Sequence, residues 1–149
     1  MRILVATDGS DQAIEAARRG LKLLTTPDVV TIVCVVPEPA EARAGMESGF
    51  AGGMASDDVV DAAWSETRAE GQNALDQTAE VVTASQVERR LEVGDPGPVI
   101  VRVADELSVD AIVIGSRGRG AIKRALLGSV STHVANNTEC PVIVISDND

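Results

Sequence analysis

Residues 110–146 read DAIVIGSRGRGAIKRALLGSVSTHVANNTECPVIVIS. The first six residues, 110–115, are an apolar run that stops at Gly115, the pattern of a buried strand. Gly115-Ser116-Arg117-Gly118 follows it, and nine residues separate Gly118 from Gly128-Ser129-Val130-Ser131, which opens a helix reaching about residue 137. Residues 141–146 (PVIVIS) are a second apolar strand. From Ala111 to Thr138 there is no Asp or Glu, while Arg117, Arg119, Lys123, Arg124 and His133 fall inside the window. A basic window in an acidic chain implies an anionic visitor. Glycines let backbone N–H groups approach an anion with no Cβ between them. A helix starting near Gly128 adds free N–H groups and the positive end of its dipole. Ser129 and Ser131 add hydroxyl donors, and Arg117 a guanidinium suited to phosphate oxygens.

Before this stretch the elements alternate. Residues 2–7 (RILVAT) form a strand stopped by Asp8-Gly9-Ser10, and Ser10 or Asp8 caps a helix whose apolar face is Ala13, Ala16, Ala17, Gly20, Leu21 and Leu24. Residues 29–36 (VVTIVCVV) are a β-branched strand ended by Pro37 and Pro39. Residues 37–57 carry four glycines and no apolar period, and are expected to be a mobile or functional loop. A long helix to about residue 83 turns Val60, Ala63, Trp64, Thr67, Ala74, Leu75, Thr78 and Val82 inward. Gly71 weakens its middle. Residues 86–93 (QVERRLEV) are the most polar strand, as expected at a sheet edge. The turn 94–98 (GDPGP) leads into a helix with Ile100, Val103, Ala104 and Leu107 on one face. Five strands alternating with helices predict one α/β domain over residues 1–149, a doubly wound parallel sheet of Rossmann-like or flavodoxin-like type with helices on both faces.

The bulk composition agrees. The chain of 149 residues is long enough for one core, 44% of it is hydrophobic, and Phe50 and Trp64 are its only aromatic residues. No apolar run approaches the roughly 20 residues of a membrane helix, and the N-terminal apolar run is too short for a signal peptide. The expected compartment is the cytoplasm. Cys34 and Cys140 have no ligand spacing, and Cys34 reads as a small buried hydrophobe. His133 reads as a surface or helix-packing residue. A net charge of -10 argues against nucleic acid as the main partner. Eleven of the 13 basic residues are Arg, and acid excess with few Lys suggests a halophilic cytoplasm.

Other phosphate binders fit poorly. There is no GxxxxGK[ST] motif, and the order Gly115, Gly118, Gly120 is not GxGxxG. A receiver domain would want paired acids after the first strand and a Lys after the last, yet residues 141–149 hold no Lys. Ligands of such sheets sit beyond the carboxyl ends of the strands, which directs attention to Thr7-Asp8-Gly9, Val35-Val36, Gly94-Asp95 and the segment after Ile114.

Gly115, Gly118, Gly128 and Ser129 match G-x2-G-x9-G-[ST], so residues 115–145 closely resemble the signature of the universal stress protein family. The N-terminal ILVATDGSDQAIEAARRGL is similar to that family's start. The resemblance implies a five-stranded parallel sheet of order 3-2-1-4-5 and an ATP site. It places the triphosphate on Gly115, Ser116, Arg117, Gly118, Gly128, Ser129, Val130 and Ser131, and the adenosine against Ala6, Thr7, Asp8 and Val35. Asp8 is open to several roles: contact with ribose or adenine, contact with a metal such as Mg held by the phosphates, or a helix cap. The resemblance also implies a homodimer through the strand at 141–146.

Three functions are compatible with these features. The first is an ATP-dependent stress-response sensor or adaptor. The second is an enzyme; the chain lacks SGGxDS after strand one, so slow ATP hydrolysis at most is expected. The third is a dimerisation module without nucleotide, against which the retained glycine spacing argues.

Overall fold

The computed structural model describes residues 1–47, 56–118 and 127–146. Five parallel strands, β1 (Arg2–Thr7), β2 (Val29–Val36), β3 (Gln86–Val93), β4 (Ala111–Gly115) and β5 (Val142–Ile145), form a single sheet in the order β3-β2-β1-β4-β5. The expected strand order and the all-parallel pairing are both found. Strand order reverses between β1 and β4, and the carboxyl ends of β1, β2 and β4 therefore flank one crevice.

Period-two alternation divides the buried side chains between the two faces. Ile3, Val5, Val30, Ile32, Cys34, Val36 and Val113 form one layer, covered by α1 (Asp11–Leu21) and α3 (Asp57–Ala79). Leu4, Ala6, Val33, Ile112 and Ile114 form the other, packed with Ile100, Val103 and Ala104 of α4 (Pro96–Leu107) and Val134 of α5 (Ser129–Asn137). With so few aromatics, the core is almost wholly aliphatic. β3 is an edge strand, as its polarity predicts.

Three local details differ from expectation. The segment expected as a loop over 37–57 holds a helix, α2 (Ala40–Glu47), started by Ala42 and Arg43 N–H bonds to the Pro39 carbonyl. Ala40, Glu41, Ala42 and Arg43 are strong helix formers, a signal the glycine count obscured; residues 48–55 lie outside the described residues. The long helix ends at Ala79 rather than near 83, with Val81 and Val82 turning back onto the carbonyls of Thr78 and Ala79. Its expected inward residues Val60, Ala63, Trp64 and Thr67 are only half-buried, and full burial starts at Gly71. Gly71 already faces Val36, the last residue of β2, so the preceding turns reach past the strand ends. A Cβ at Gly71 would overlap Leu91 and Val36, so the glycine that weakens the helix also lets it lie close on the sheet.

The cap is resolved in favour of Ser10. Its hydroxyl oxygen accepts from the Ala13 N–H at 3.2 Å, and Asp8 Oδ1 in turn accepts from the Ser10 N–H at 3.0 Å and the Ser10 hydroxyl at 2.6 Å. Neither cysteine is in a disulfide; Cys34 is buried and Cys140 half-buried. Among the described residues no helix is long and apolar enough to cross a membrane.

Candidate functional site

All twelve residues singled out from the sequence line one cavity of about 600 Å³ at the carboxyl ends of β1, β2 and β4. Ala6, Thr7 and Asp8 come from the end of β1, Val35 from β2, and Gly115, Ser116, Arg117 and Gly118 from the exit of β4. Gly128, Ser129, Val130 and Ser131 come from the start of α5. Arg119, Lys123 and Arg124 of the basic window lie outside the described residues.

The β4 exit and the α5 start are fastened to each other. The Gly128 N–H donates to the Ser116 carbonyl at 2.6 Å, and a Cβ on Gly128 would come within 2.9 Å of that same oxygen. Gly128 has φ -76, so glycine is required there for space and not for an unusual backbone angle. The Ser131 hydroxyl faces the carbonyls of Ser116 at 3.2 Å and Gly128 at 3.1 Å. Its single proton is thus directed to the backbone, and the expected role of this hydroxyl as an anion donor gives way to one of fastening. What α5 offers a ligand is its backbone. Thr132 is the first residue whose N–H closes onto Gly128, no side chain caps the helix, and the N–H groups of Ser129, Val130 and Ser131 remain for an anion.

Across the crevice, Gly118 lies against Asp8: a Cβ there would come within 2.5 Å of Asp8 Oδ2. Thr7 is held by a relay of hydroxyls. The Gly9 N–H donates to Thr7 Oγ1 at 3.1 Å, Thr7 donates to Thr78 Oγ1 at 2.8 Å, and Thr78 donates to the Ala74 carbonyl at 2.8 Å. Both hydroxyls are buried and satisfied, which costs nothing in unpaired polar groups and sets the turn after β1. Thr7 therefore lines the cavity with its side chain already engaged.

Several cavity residues were not singled out from the sequence. Glu70, Gly71 and Ala74 come from α3, Pro96 and Ile100 from α4, and Cys34 from β2, beside Val36 at the strand end the sequence pointed to. Their periodicity marks a core face and cannot distinguish the last core residue from the first wall residue of a crevice. Leu127, exposed on the opposite lip, adds apolar surface. His133 does not line the cavity. It packs over Gly97 at the start of α4, where a Cβ would meet its ring at 2.8 Å. The wall is mostly aliphatic, with its anion-attracting groups at the β4–α5 end. It suits an elongated ligand with an apolar body and an anionic tail.

Residues 1–146 match the universal stress protein family. A universal stress protein of Methanocaldococcus jannaschii is 30% identical over 153 residues, covering 97% of this chain and 81% of its own length. The solved structure of hypothetical protein MJ0577 aligns with a TM-score of 0.73 at 26% identity, covering 99% of this chain and 96% of that one. The universal stress protein from Archaeoglobus fulgidus, solved in complex with dAMP, aligns with a TM-score of 0.56 at 28% identity and 97% coverage of both chains.

Proposed function

The chain belongs to the universal stress protein family, and on that premise we propose that it is an ATP-binding stress-response sensor or adaptor acting as a homodimer. The observation that carries this is the convergence of the glycine signature and the strand ends on one cavity, with the N–H groups of Ser129, Val130 and Ser131 at its anion end. The triphosphate lies on Gly115, Ser116, Arg117, Gly118 and Gly128 and on those N–H groups. The adenosine lies over Ala6, Thr7, Asp8 and Val35. The dAMP complex of the Archaeoglobus fulgidus relative supports an adenine nucleotide.

Magnesium accompanies the phosphates. Among the described residues no cluster of three or more His, Cys, Asp or Glu could hold a metal by itself. The metal therefore comes with the nucleotide, and Asp8 is the carboxylate nearest Gly118 to meet it. Hydrolysis is slow at most. The described parts of the phosphate loop carry no acid to orient a water, and His133 is engaged with α4.

The homodimer forms through β5, whose residues Val142–Ile145 are all apolar and only half-buried. Residence in a salt-rich cytoplasm accounts for the charge of -10 and the preference for Arg. A protein that became more stable on dilution from molar KCl would contradict that setting. A change of shape or of partners on ATP binding is what the sensor role requires, and limited proteolysis indifferent to ATP would count against it. Calorimetric titration with Mg-ATP tests the nucleotide function itself. Saturable binding is expected, and none by the folded protein would leave a dimerisation module.

A further inference from the structure

We infer that Glu70 selects the base of the bound nucleotide, its carboxylate accepting the amino group of a 6-aminopurine and repelling a 6-oxo group. This rests on the nucleotide function proposed above and names a residue outside the glycine signature. Two carboxylates stand on the described cavity wall, Asp8 and Glu70. Asp8 is on the phosphate side, against Gly118 and bonded to Ser10. Glu70 is on the far side. Its neighbour Gly71 is pressed against Val36 and Leu91, which seats Glu70 at the rim where β2 ends in Val36 and Pro37. Among the described residues Glu70 makes no hydrogen bond or ion pair, so its oxygens are available to a ligand.

The distance across the cavity suits a mononucleotide. β4, β1 and β2 are neighbours, so the β4–α5 phosphate end and the β2 end are two strand spacings apart, about 10 Å. Phosphates held at α5 put the ribose over β1 and the base over the end of β2, beside Val36 and Pro37, on the side of the strand that α3 covers. At that end Glu70 is the charged side chain of the described wall. An ionised carboxylate only accepts hydrogen bonds. It pairs with an exocyclic amino group, as carboxylates do with the amino group of cytosine, and sets acceptor against acceptor when the base carries oxygen instead.

The test is calorimetric titration of wild type, Glu70→Gln and Glu66→Gln with Mg-ATP and with Mg-ITP, which has oxygen in place of the 6-amino group. Wild type is expected to prefer ATP by about tenfold, the worth of a hydrogen bond to a charged group at a wet rim. Glu70→Gln gives the side chain an amide donor, so the preference should vanish or reverse. Glu66, one turn earlier and off the cavity wall, removes the same charge and should leave the wild-type ratio. Glu70 is exposed, and circular dichroism confirms that the variant keeps its fold. Equal affinity of wild type for both nucleotides overturns the inference, as does an unchanged ratio in Glu70→Gln or an equal change in Glu66→Gln. No binding of either nucleotide by wild type removes the proposed function and this inference together. Binding without preference removes only this inference.

Discussion

The N–H of Gly128 and the carbonyl of Ser116 are joined across 2.6 Å, so the first residue before α5 is tied to the first residue after β4. This bond sets the β4–α5 end of the cavity, because the free N–H groups of α5 begin at the next residue. Gly128→Ala would push a methyl carbon to within 2.9 Å of the Ser116 oxygen, a backbone atom that cannot rotate away. The two turns must then part. The expected results are a loss of about 1–3 kcal/mol in stability and Mg-ATP binding weakened at least tenfold, read by denaturant unfolding and calorimetry. Unchanged affinity would show that this bond does not shape the site.

Thr78→Val tests the buried hydroxyl relay. The Thr7 hydroxyl, which donates to Thr78 Oγ1, would lose its acceptor in a buried setting. A cost of about 1–3 kcal/mol is expected in urea unfolding. Thr7→Val together with Thr78→Val should recover part of that loss, because the buried Thr7 hydroxyl is then gone and only the half-buried Gly9 N–H loses its acceptor.

The free edge of β5 can be assigned by residue. The Pro141 and Ile145 carbonyls accept from Ile112 and Ser116 of the β4 side, so alternate residues Val142 and Val144 present their N–H and C=O groups outward. Val144→Pro removes an outward donor and blocks pairing at that edge. Light scattering should then report a monomer with its fold retained. A dimer surviving Val144→Pro would place the interface elsewhere.

A ring of four charges joins β3 to α4. Glu92 and Glu106 each pair with both Arg90 and Arg102, with contacts of 2.5 Å for Arg102–Glu106, 2.6 Å for Arg90–Glu106 and 2.8 Å for Arg102–Glu92. Burial raises the Glu92 carboxyl, but the two arginines outweigh it and hold it below the usual glutamate range. Hydrogen bonds from Arg102 and Arg90 lower Glu106 in the same sense. A depressed folded-state pKa gives stability that is present above the unfolded value, about 4.3, and is lost as pH falls through the folded one. Arg102→Met should therefore lower Tm at pH 7 by a small amount, since the pairs are partly exposed. That deficit should shrink below about pH 4; a deficit constant down to pH 2 would mean that the ring adds nothing through charge.

Four strands were legible because each is a short apolar or β-branched run with Gly, Pro or Asp at its ends, as in residues 29–36 before Pro37, while the polar β3 was marked by Gly94 at its end and by the alternation of elements. The β4–α5 end of the cavity was legible for a different reason: Gly115, Gly118 and Gly128 fall at fixed spacing between a strand and a helix, and each stands where a Cβ would meet a close neighbour. α2 was hidden because an eight-residue helix spans little more than two turns, too few for a period to be read against the glycines that follow it. Glu70 and Pro96 were hidden because a cavity wall is defined by where helices end relative to strands. That offset depends on contacts such as Gly71 with Val36, which spacing along the chain does not encode. The Ser131 hydroxyl shows the same limit: its residue type suits both anion binding and loop fastening, and only the positions of the Ser116 and Gly128 carbonyls decide.

A nucleotide seated on the glycine loop needs the space beside Gly118, and Gly118→Val removes it. The valine would meet Asp8 Oδ2, a side-chain atom that must shift against the hold of Ser10 on Oδ1, a local cost that the fold should survive while the crevice between β4 and β1 fills. Calorimetry of both proteins with Mg-ATP in molar KCl, with circular dichroism as the check on folding, is the measurement. Saturable binding by wild type and its loss in a folded Gly118→Val is the predicted result. Equal binding by the two proteins would contradict it and move the nucleotide off the loop.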